Sequence, residues 1–538
     1  MIQGIFMRSL FLFLGVFATS LQAADAVFYK KLWTDMTEMF RTNPPAALEK
    51  INELISNNPT NPVYYYLRGG VRHGFNQPYL AIQDYTRGID LDAPGEEIYQ
   101  RRATEWLRLG YLEKALADLD TIADRWPTQA FKLWDRGVVC YELGDYEKAA
   151  RQLVKYGEAY EHDVENAVWI LMCQAKVENL KRARQGMIPT SGDQRVPMSQ
   201  IYALFKGTGT VQQVLDAAAN SGPRDPYDPN PPPAFYAQLY LGLYADLTGD
   251  RATALAELEA ALEVPMTYNI MQEFARIHRD RLLRTYKTRF EPVPARLFLP
   301  RRGLGNFFLK LQHGGPGRVA FWGGGGTAAG GWPDLTMKWL RETYPAARLE
   351  QIAPPLDDTN SPYNAIRFER DVLSKKPDLV FVEIPADDAA SETSMIWRNL
   401  ESVLRQTWKV DESIDFCFVY SLAPGSEKEL QGGRCPRAAS AGEILAEYYD
   451  IPSINPALRV AEMAAQKKLV VRASSGTNDA GSPTPPGTIY FSKDGVHPSI
   501  EGSRLDAETI CDSLKSRLVL RKPYHWLKYP FMADEGKP

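Results

Sequence analysis

Near the end of the chain an aspartate and a histidine stand three residues apart, Asp494 and His497, directly before a predicted helix. In this arrangement a carboxylate can orient an imidazole and stabilise its protonated form, so that the imidazole serves as a general base. The spacing alone is weak evidence, because an aspartate before a helix also caps backbone N–H groups and a histidine beside it can simply face solvent. The pair is therefore a candidate base whose role depends on the groups around it.

Three other loops carry glycines or carboxylates that could surround this pair. They are Gly323–Thr327, the adjacent Asp357 and Asp358, and the adjacent Asp387 and Asp388, and each follows a predicted strand. With the histidine, the carboxylate oxygens could hold a divalent cation or activate water directly. The alternative interpretation is that they are solvated loop acids of an inactive site.

An alternation of strands and helices over residues 318–520 would position these loops. The strands are short and nearly all apolar, which is typical of a parallel sheet covered on both faces. The predicted strands are 318–322, 348–352, 378–384, 415–420 and 451–454, and the predicted helices are 333–343, 365–374, 394–406, 438–449 and 499–514. Since catalytic groups of such sheets lie at the carboxyl ends of the strands, we expect the four loops at one edge.

In this order, the motifs of residues 318–517 resemble the SGNH (GDSL-type) hydrolases. The resemblance is carried by Gly323–Thr327 with Gly331–Pro333, by Arg367–Leu373, by Lys376–Glu383 and by Asp494–Pro498. It implies an α/β three-layer, flavodoxin-like domain with a parallel sheet. It also implies action on acetyl, acyl or lipid esters without a cofactor or a metal.

Several positions depart from the family pattern. The resemblance places the nucleophilic serine at Gly325, an oxyanion-hole glycine at Asp357 or Asp358, and an oxyanion-hole asparagine at Asp387. The oxyanion-hole positions are thus Gly325, Asp358 and Asp387, while the aspartate–histidine pair is retained. Glycine offers no nucleophile, and an ionised carboxylate repels an oxyanion instead of donating to it. Loss of the serine alone removes on the order of 10⁶ in turnover, so we do not expect serine-type ester hydrolysis.

The glycine loop has two further interpretations. Gly323, Gly325 and Ala328 fit a dinucleotide fingerprint between a strand and a helix, with Glu350 as the acidic partner. That glutamate lies within a strand instead of at its end, and the third position is not glycine. Alternatively, the glycines form a backbone nest for an anion.

Residues 27–290 have a helical period that repeats. Alanine recurs every 34 residues, at Ala47, Ala81, Ala115, Ala149 and Ala183. A second set of small residues comprises Gly69, Ala103 and Gly137, and Pro59, Pro94 and Pro127 close successive units. Another unit follows a proline-rich segment and includes Gly242, Gly249, Ala254 and Ala261. This period resembles the tetratricopeptide repeat (TPR) and predicts an N-terminal all-α TPR solenoid; a nonspecific helical bundle is the alternative.

The first residues predict export. Arg8, the apolar run Leu10–Leu21 and small residues up to Ala23 are typical of a secretory signal peptide over residues 1–23, with an uncleaved anchor as the alternative. The sequence has no other run of 18 apolar residues, so we expect no membrane span after signal removal. The expected location is secreted or periplasmic.

Composition excludes other classes of protein. The net charge is 62 − 66 = −4 without a long basic run, so nucleic acid is not an expected partner. Five cysteines without CxxC spacing exclude a strong thiolate metal site. Residues 291–317 are rich in Pro, Gly and Arg and predict a linker, and 521–538 are expected to form a C-terminal tail.

Two functions follow from these expectations. In the first, the chain is an exported binding or scaffolding protein whose solenoid holds a protein segment on its concave face. Its degenerate SGNH-like domain then binds an acylated glycan without cleaving it. In the alternative, the chain is an active carbohydrate-ester hydrolase or acyl transferase with an altered mechanism.

Overall fold

The computed structural model describes residues 23–160, 163–190, 192–222, 230–266, 269–301, 303–323, 330–353, 361–384, 388, 391–472, 489–492, 497–515 and 528–532. The chain divides into two compact units between Leu282 and Leu283. Residues 1–22 of the predicted signal peptide lie outside the described part of the chain. Among the helices that are described, none is long and apolar enough to cross a membrane.

The first unit consists of helices that pack in consecutive pairs. They are α1 (Ala23–Thr42), α2 (Pro44–Asn57), α3 (Pro62–Gly74), α4 (Pro78–Asp90), α5 (Glu97–Leu109), α6 (Leu112–Arg125), α7 (Trp134–Glu142), α8 (Tyr146–Gly157), α9 (Val164–Val177), α10 (Leu180–Gln185), α11 (Met198–Lys206), α12 (Val211–Ala219), α13 (Pro233–Thr248), α14 (Arg251–Glu263) and α15 (Ile270–Arg284). Helix α3 pairs with α4, α5 with α6, α7 with α8, α9 with α10, and α13 with α14. The predicted all-α solenoid is therefore confirmed.

Small residues let the two helices of a pair approach closely. The alanines of the 34-residue period are buried, with at most 2% of their surface exposed. A β-carbon on Gly137 would lie 2.6 Å from Cγ of Leu153, and one on Gly242 would lie 2.8 Å from Cγ of Leu258. Both distances are too short for carbon atoms in van der Waals contact. The periodic glycines are thus required by packing.

The turns inside the pairs follow from glycine and aspartate. Gly110 and Gly249 end α5 and α13 with φ of 79° and 91°, the left-handed region that glycine enters without steric cost. After the second of these turns, the carboxylate of Asp250 accepts a hydrogen bond from the backbone N–H of Thr253 at 3.1 Å and caps α14. The same glycine–aspartate dipeptide precedes α8.

Arginines at the repeat period join neighbouring pairs. Arg102 on α5 donates to both carboxylate oxygens of Asp118 on α6, at 2.6 and 2.9 Å, and to the hydroxyl of Thr86 on α4 at 3.0 Å. The equivalent arginines bond in the same way: Arg68 bonds to Asp84 and Asn52, and Arg136 to Gln152 and Asp120. Each arginine therefore ties its own pair to the preceding one.

The second unit is an α/β domain. Its strands are β1 (Phe298–Leu299), β2 (Gly317–Trp322), β3 (Leu349–Ile352), β4 (Leu379–Ile384), β5 (Asp415–Tyr420), β6 (Ser453–Ile454), β7 (Leu469–Arg472) and β8 (Ile489–Ser492). Its helices are α16 (Gly305–Gln312), α17 (Trp332–Thr343), α18 (Ser361–Asp371), α19 (Thr393–Val410), α20 (Glu427–Gln431), α21 (Arg437–Tyr448), α22 (Pro456–Ala465) and α23 (Ile500–Lys515). The predicted strands correspond to β2–β6 and the predicted helices to α17, α18, α19, α21 and α23, whereas β7, β8, α20 and α22 have no predicted counterpart.

The strand order is that of a doubly wound sheet. The main sheet runs β1-β6-β5-β4-β2-β3, and every neighbouring pair except β1–β6 is parallel. Numbered among themselves, the parallel strands have the order 2-1-3-4-5, which is the flavodoxin-like order. The predicted fold class is therefore confirmed. The order reverses between β2 and β4, where such sheets bind their ligands.

Alternate strand residues face two helical layers. On one face Phe321 and Phe381 stack with ring centroids 5.3 Å apart beneath Trp332 of α17, in a core shared with α16 and α23. On the other face, Trp322 packs edge-on against Phe368 of α18, and Phe416 against Trp408 of α19. The sheet is thus the middle of three layers.

The segments predicted to be a linker and a tail also differ from the prediction. The predicted linker 291–317 contains β1, which pairs with β6, and α16, whose Phe307, Phe308 and Leu311 are buried in the core. Because Gly, Pro and Arg flank this apolar stretch, the composition of the whole segment is that of a linker. In the predicted tail 521–538, Phe531 is fully buried against Trp397, and its N–H donates to Glu401. The described residues of both segments belong to the folded unit.

Candidate functional site

The switch point between β2 and β4 is tightly built. Gly323 directly follows β2, and a β-carbon on it would lie 2.4 Å from Cβ of Glu383 and 2.6 Å from its carbonyl oxygen. A side chain therefore cannot be placed there without moving β4. This glycine begins the predicted nucleophile loop, and its role in the structure is close backbone packing.

A buried carboxylate pair lies beside this contact. Glu383 of β4 and Asp506 of α23 are 2% and 5% exposed, and the hydroxyl of Ser421, just after β5, donates to Glu383. Burial, and secondarily the negative charge of Glu383, raises the pKa of Asp506 well above its usual value. The two acids therefore favour a state in which Asp506 is protonated.

His497 is held by its backbone. The hydroxyl of Ser492, which is fully buried, donates to the carbonyl oxygen of His497 at 2.7 Å. Ser499 closes the same turn, because its N–H donates to the carbonyl of Phe491 at 2.6 Å and its hydroxyl donates to the carbonyl of Tyr490 at 2.6 Å. The side chain of His497 is exposed, so it is accessible at the surface.

Asp388 differs from the expectation for a solvated loop acid. It is fully buried, and one carboxylate oxygen accepts a hydrogen bond from the hydroxyl of Ser391 at 3.2 Å. The N–H of Ser391 donates to the carbonyl of Asp388 at 3.0 Å. For this residue the interpretation as a solvated acid is wrong, and its carboxylate lies against Ser391, just before α19.

The other predicted site positions lie outside the described residues, namely Gly325, Asp357, Asp358, Asp387 and Asp494. Their geometry relative to His497 is therefore untested and stays a prediction. Within the described residues, no group of three or more His, Cys, Asp or Glu side chains could hold a metal ion.

A pocket of about 200 Å³ opens at the carboxyl ends of β4 and β5. Its polar lining includes Ser421, Glu429 and Arg437. Its apolar lining includes Ile384 and Leu430. It is smaller than the roughly 300–1,000 Å³ typical of sites for whole drug-sized ligands. The pocket is therefore too small to enclose a whole drug-sized ligand.

Sequence reasoning did not select Glu383, Ser421, Asp506 or Arg437. One signal was present, since Glu383 is a single charge within an otherwise apolar strand, and such a charge needs a buried partner. Its proximity to Asp506 depends on the packing of α23, which the local sequence does not encode.

No protein-family model matches the sequence, and no curated protein matches it significantly. Among solved structures, one similar to part of the chain is a two-domain esterase active on acetylated mannans. Its TM-score is 0.32 at 20% identity, and the match covers 40% of this chain and 55% of the esterase. The match thus spans about half of that esterase.

Two other similar structures come from named bacteria. A tetratricopeptide repeat protein from Parabacteroides merdae has a TM-score of 0.33 at 18% identity, and the match covers 46% of this chain and 98% of that protein. A lipase/acylhydrolase from Enterococcus faecalis has a TM-score of 0.26 at 18% identity, with coverages of 37% and 96%. The solved structures that resemble parts of this chain thus include a tetratricopeptide repeat protein and esterases, while the fold class rests on the helix pairs and the strand order.

Proposed function

We propose that the chain is an exported binding protein that combines a TPR-like solenoid with an SGNH-like domain that lacks a serine nucleophile. The solenoid binds a protein segment, and the α/β domain binds an acylated carbohydrate without cleaving it. The observation that carries the proposal is Gly325 at the position where the resemblance places the nucleophilic serine.

The position of the Ser492 hydroxyl supports this proposal. This hydroxyl donates to the backbone carbonyl of His497. A serine that replaces the missing nucleophile must give its proton to a base, as in the serine–histidine arrangement. The hydroxyl of Ser492 is bound to a backbone carbonyl, which accepts a hydrogen bond but cannot take its proton.

The pocket at the ends of β4 and β5 offers the means of binding. Its apolar lining can bury an acetyl or short acyl group, and Arg437 can donate to the carbonyl oxygen of the ester. Binding of this kind needs no nucleophile. The proposed export would bring the domain into contact with carbohydrates outside the cytoplasm.

The proposal is tested by restoring the missing groups. Wild-type protein, Gly325→Ser, and Gly325→Ser combined with Asp387→Asn are compared on p-nitrophenyl acetate. We expect almost no activity for the wild type and more for the double variant than for the single one, since each oxyanion donor is typically worth about 2.7–4 kcal/mol. A fast wild-type rate that Ser421→Ala abolishes would refute the proposal.

The alternative, an active ester hydrolase or acyl transferase, is favoured by the retained pair Asp494 and His497 and by the contact between Ser421 and Glu383. A carboxylate can act as base toward a serine hydroxyl. The Ser421→Ala variant separates the two functions, because the binding protein needs this residue for affinity only.

A further inference from the structure

Helix α15 is enclosed on all sides, although it follows the last helix pair of the first unit. The seven consecutive residues Phe274–Asp280 are all buried, with exposures of 6% or less. Seven residues make about two turns, so every direction around the helix is covered. A helix that caps a solenoid ordinarily buries one apolar stripe, whereas four of these seven residues are Arg, His or Asp.

The enclosing residues come from helix pairs that are distant in the sequence. They belong to α5, α7 and α13, each the first helix of its pair, and comprise the carbonyls of Leu107 and Arg108 together with the side chains of Trp134, Glu142 and Asp246. We call this set the acceptor groove. A capping helix would contact only the last helix pair, whereas α15 contacts the first helices of three pairs. In this respect α15 is bound by the solenoid in the way that a separate helical ligand would be.

The amino-terminal half of α15 contributes an aromatic ring and a cation. Phe274 packs edge-on against Trp134, with ring centroids 5.6 Å apart. Arg276 donates to the carbonyls of Leu107 and Arg108 at 2.9 Å each. These carbonyls lie at the carboxyl end of α5, where the helix dipole favours a positive charge.

The carboxyl-terminal half contributes two more cations that share two acids. His278 lies 2.7 Å from Glu142 and 3.3 Å from Asp246. Arg281 lies 2.9 Å from Glu142 and 3.1 Å from Asp246. Burial alone would lower the pKa of His278, but chiefly Glu142 raises it above the usual value despite nearby Arg281. The groove therefore favours the charged form of His278.

Buried ion pairs of this kind add little net stability relative to apolar packing, but breaking one of them is costly. Such pairs do, however, favour a partner whose charges lie opposite the charges of the groove over a partner that leaves them unpaired. A helix kept only for stability would meet the groove with apolar side chains. The charges thus point to recognition of one particular pattern.

We propose that the acceptor groove is a binding site for a helical segment with the pattern Phe-x-Arg-x-His-x-x-Arg, and that α15 is its exchangeable occupant within the chain. A partner protein with the same pattern binds when α15 leaves. This inference rests on the proposed protein-binding role of the solenoid and names the class of segment that the solenoid accepts.

The test uses the full chain and a fluorescein-labelled synthetic peptide of residues 269–287. In the wild type the tethered helix competes at an effective concentration in the millimolar range, so we expect no measurable binding. The double variant Arg276→Ala, His278→Ala weakens the binding of α15 in the groove. We therefore expect this variant to bind the peptide at least about tenfold more tightly than the wild type does. The exposed variant Arg151→Ala is the control and should behave like the wild type.

Two results would overturn the inference. One is a folded double variant, judged by circular dichroism, that does not bind the peptide. The other is equal binding of a peptide that carries the same two substitutions, since the pattern would then be irrelevant. Esterase assays do not involve this groove, so their outcome bears on the proposed function alone.

A measurement on the wild type keeps the inference falsifiable if the double variant does not fold. Hydrogen exchange of the full chain should show the amides of α15 opening as a separate unit, with less protection than those of α5 and α7. If α15 exchanges only with global unfolding of the first unit, it is a permanent core helix and the inference is wrong.

Discussion

Replacing Arg102 with alanine should destabilise the first unit strongly. Asp118 is 4% exposed, and Arg102 donates to both of its carboxylate oxygens, at 2.6 and 2.9 Å. Removing one partner of a buried ion pair typically costs about 3–5 kcal/mol. Because the side chain of Arg102 is itself 18% exposed and water can enter its place, we expect a loss of about 3 kcal/mol.

The loss should depend on pH. Burial already raises the pKa of Asp118, and Arg102 opposes this shift, so removing the arginine raises the pKa further. An acid with a raised pKa in the folded state destabilises the fold increasingly as the pH rises above its unfolded value. The difference between wild type and Arg102→Ala should therefore be small near pH 4 and larger at pH 7.

Urea unfolding monitored by circular dichroism at both pH values measures this effect. The control is Arg151→Ala, because Arg151 is 71% exposed and lies 3.7 Å from Glu147, and exposed pairs contribute about 0–1 kcal/mol. Arg102→Ala combined with Asp118→Ala should lose less than the sum of the single variants. A loss below about 0.5 kcal/mol, or one that does not change with pH, would refute the reasoning.

Three further predictions concern packing, titration and processing. Gly137→Ala should lower the urea midpoint despite the higher helix propensity of alanine, because the new β-carbon would lie 2.6 Å from Cγ of Leu153; an unchanged midpoint would show that the close approach is not needed. Asp506→Asn should make the free energy of unfolding of the α/β unit depend less on pH. The reason is that the raised pKa of Asp506 makes the wild type lose stability as the pH rises above about 4. The same dependence on pH in wild type and variant would contradict this. Exported protein should have the mass of a chain that begins at Ala24, and an intact mass that includes Met1 would disprove cleavage.

The fold could be predicted because its determinants are local and periodic. The buried alanines from Ala47 to Ala183 mark the helix pairs, and the apolar run of β4 marks a central strand. The segment around Phe307 could not be placed, because its short apolar stretch lies between Gly, Pro and Arg residues that favour loops. Its burial comes from contacts made by the assembled sheet.

The candidate site was less predictable. Loop motifs identify His497 but not what its neighbours do, and the pairing of Glu383 with Asp506 arises from the docking of α23. The enclosure of α15 also has no local signal, since its acceptors Glu142 and Asp246 belong to other helix pairs. Long-range contacts of this kind decide which charges are paired.

Labelling of the wild-type protein with a fluorophosphonate probe, combined with its rate on p-nitrophenyl acetate, tests the central claim most directly. The reagent reacts with a serine that a neighbouring base has activated. We predict no labelling and almost no turnover, because glycine occupies position 325. Stoichiometric labelling of one serine, with loss of a fast esterase rate, would show that the chain is an active serine hydrolase.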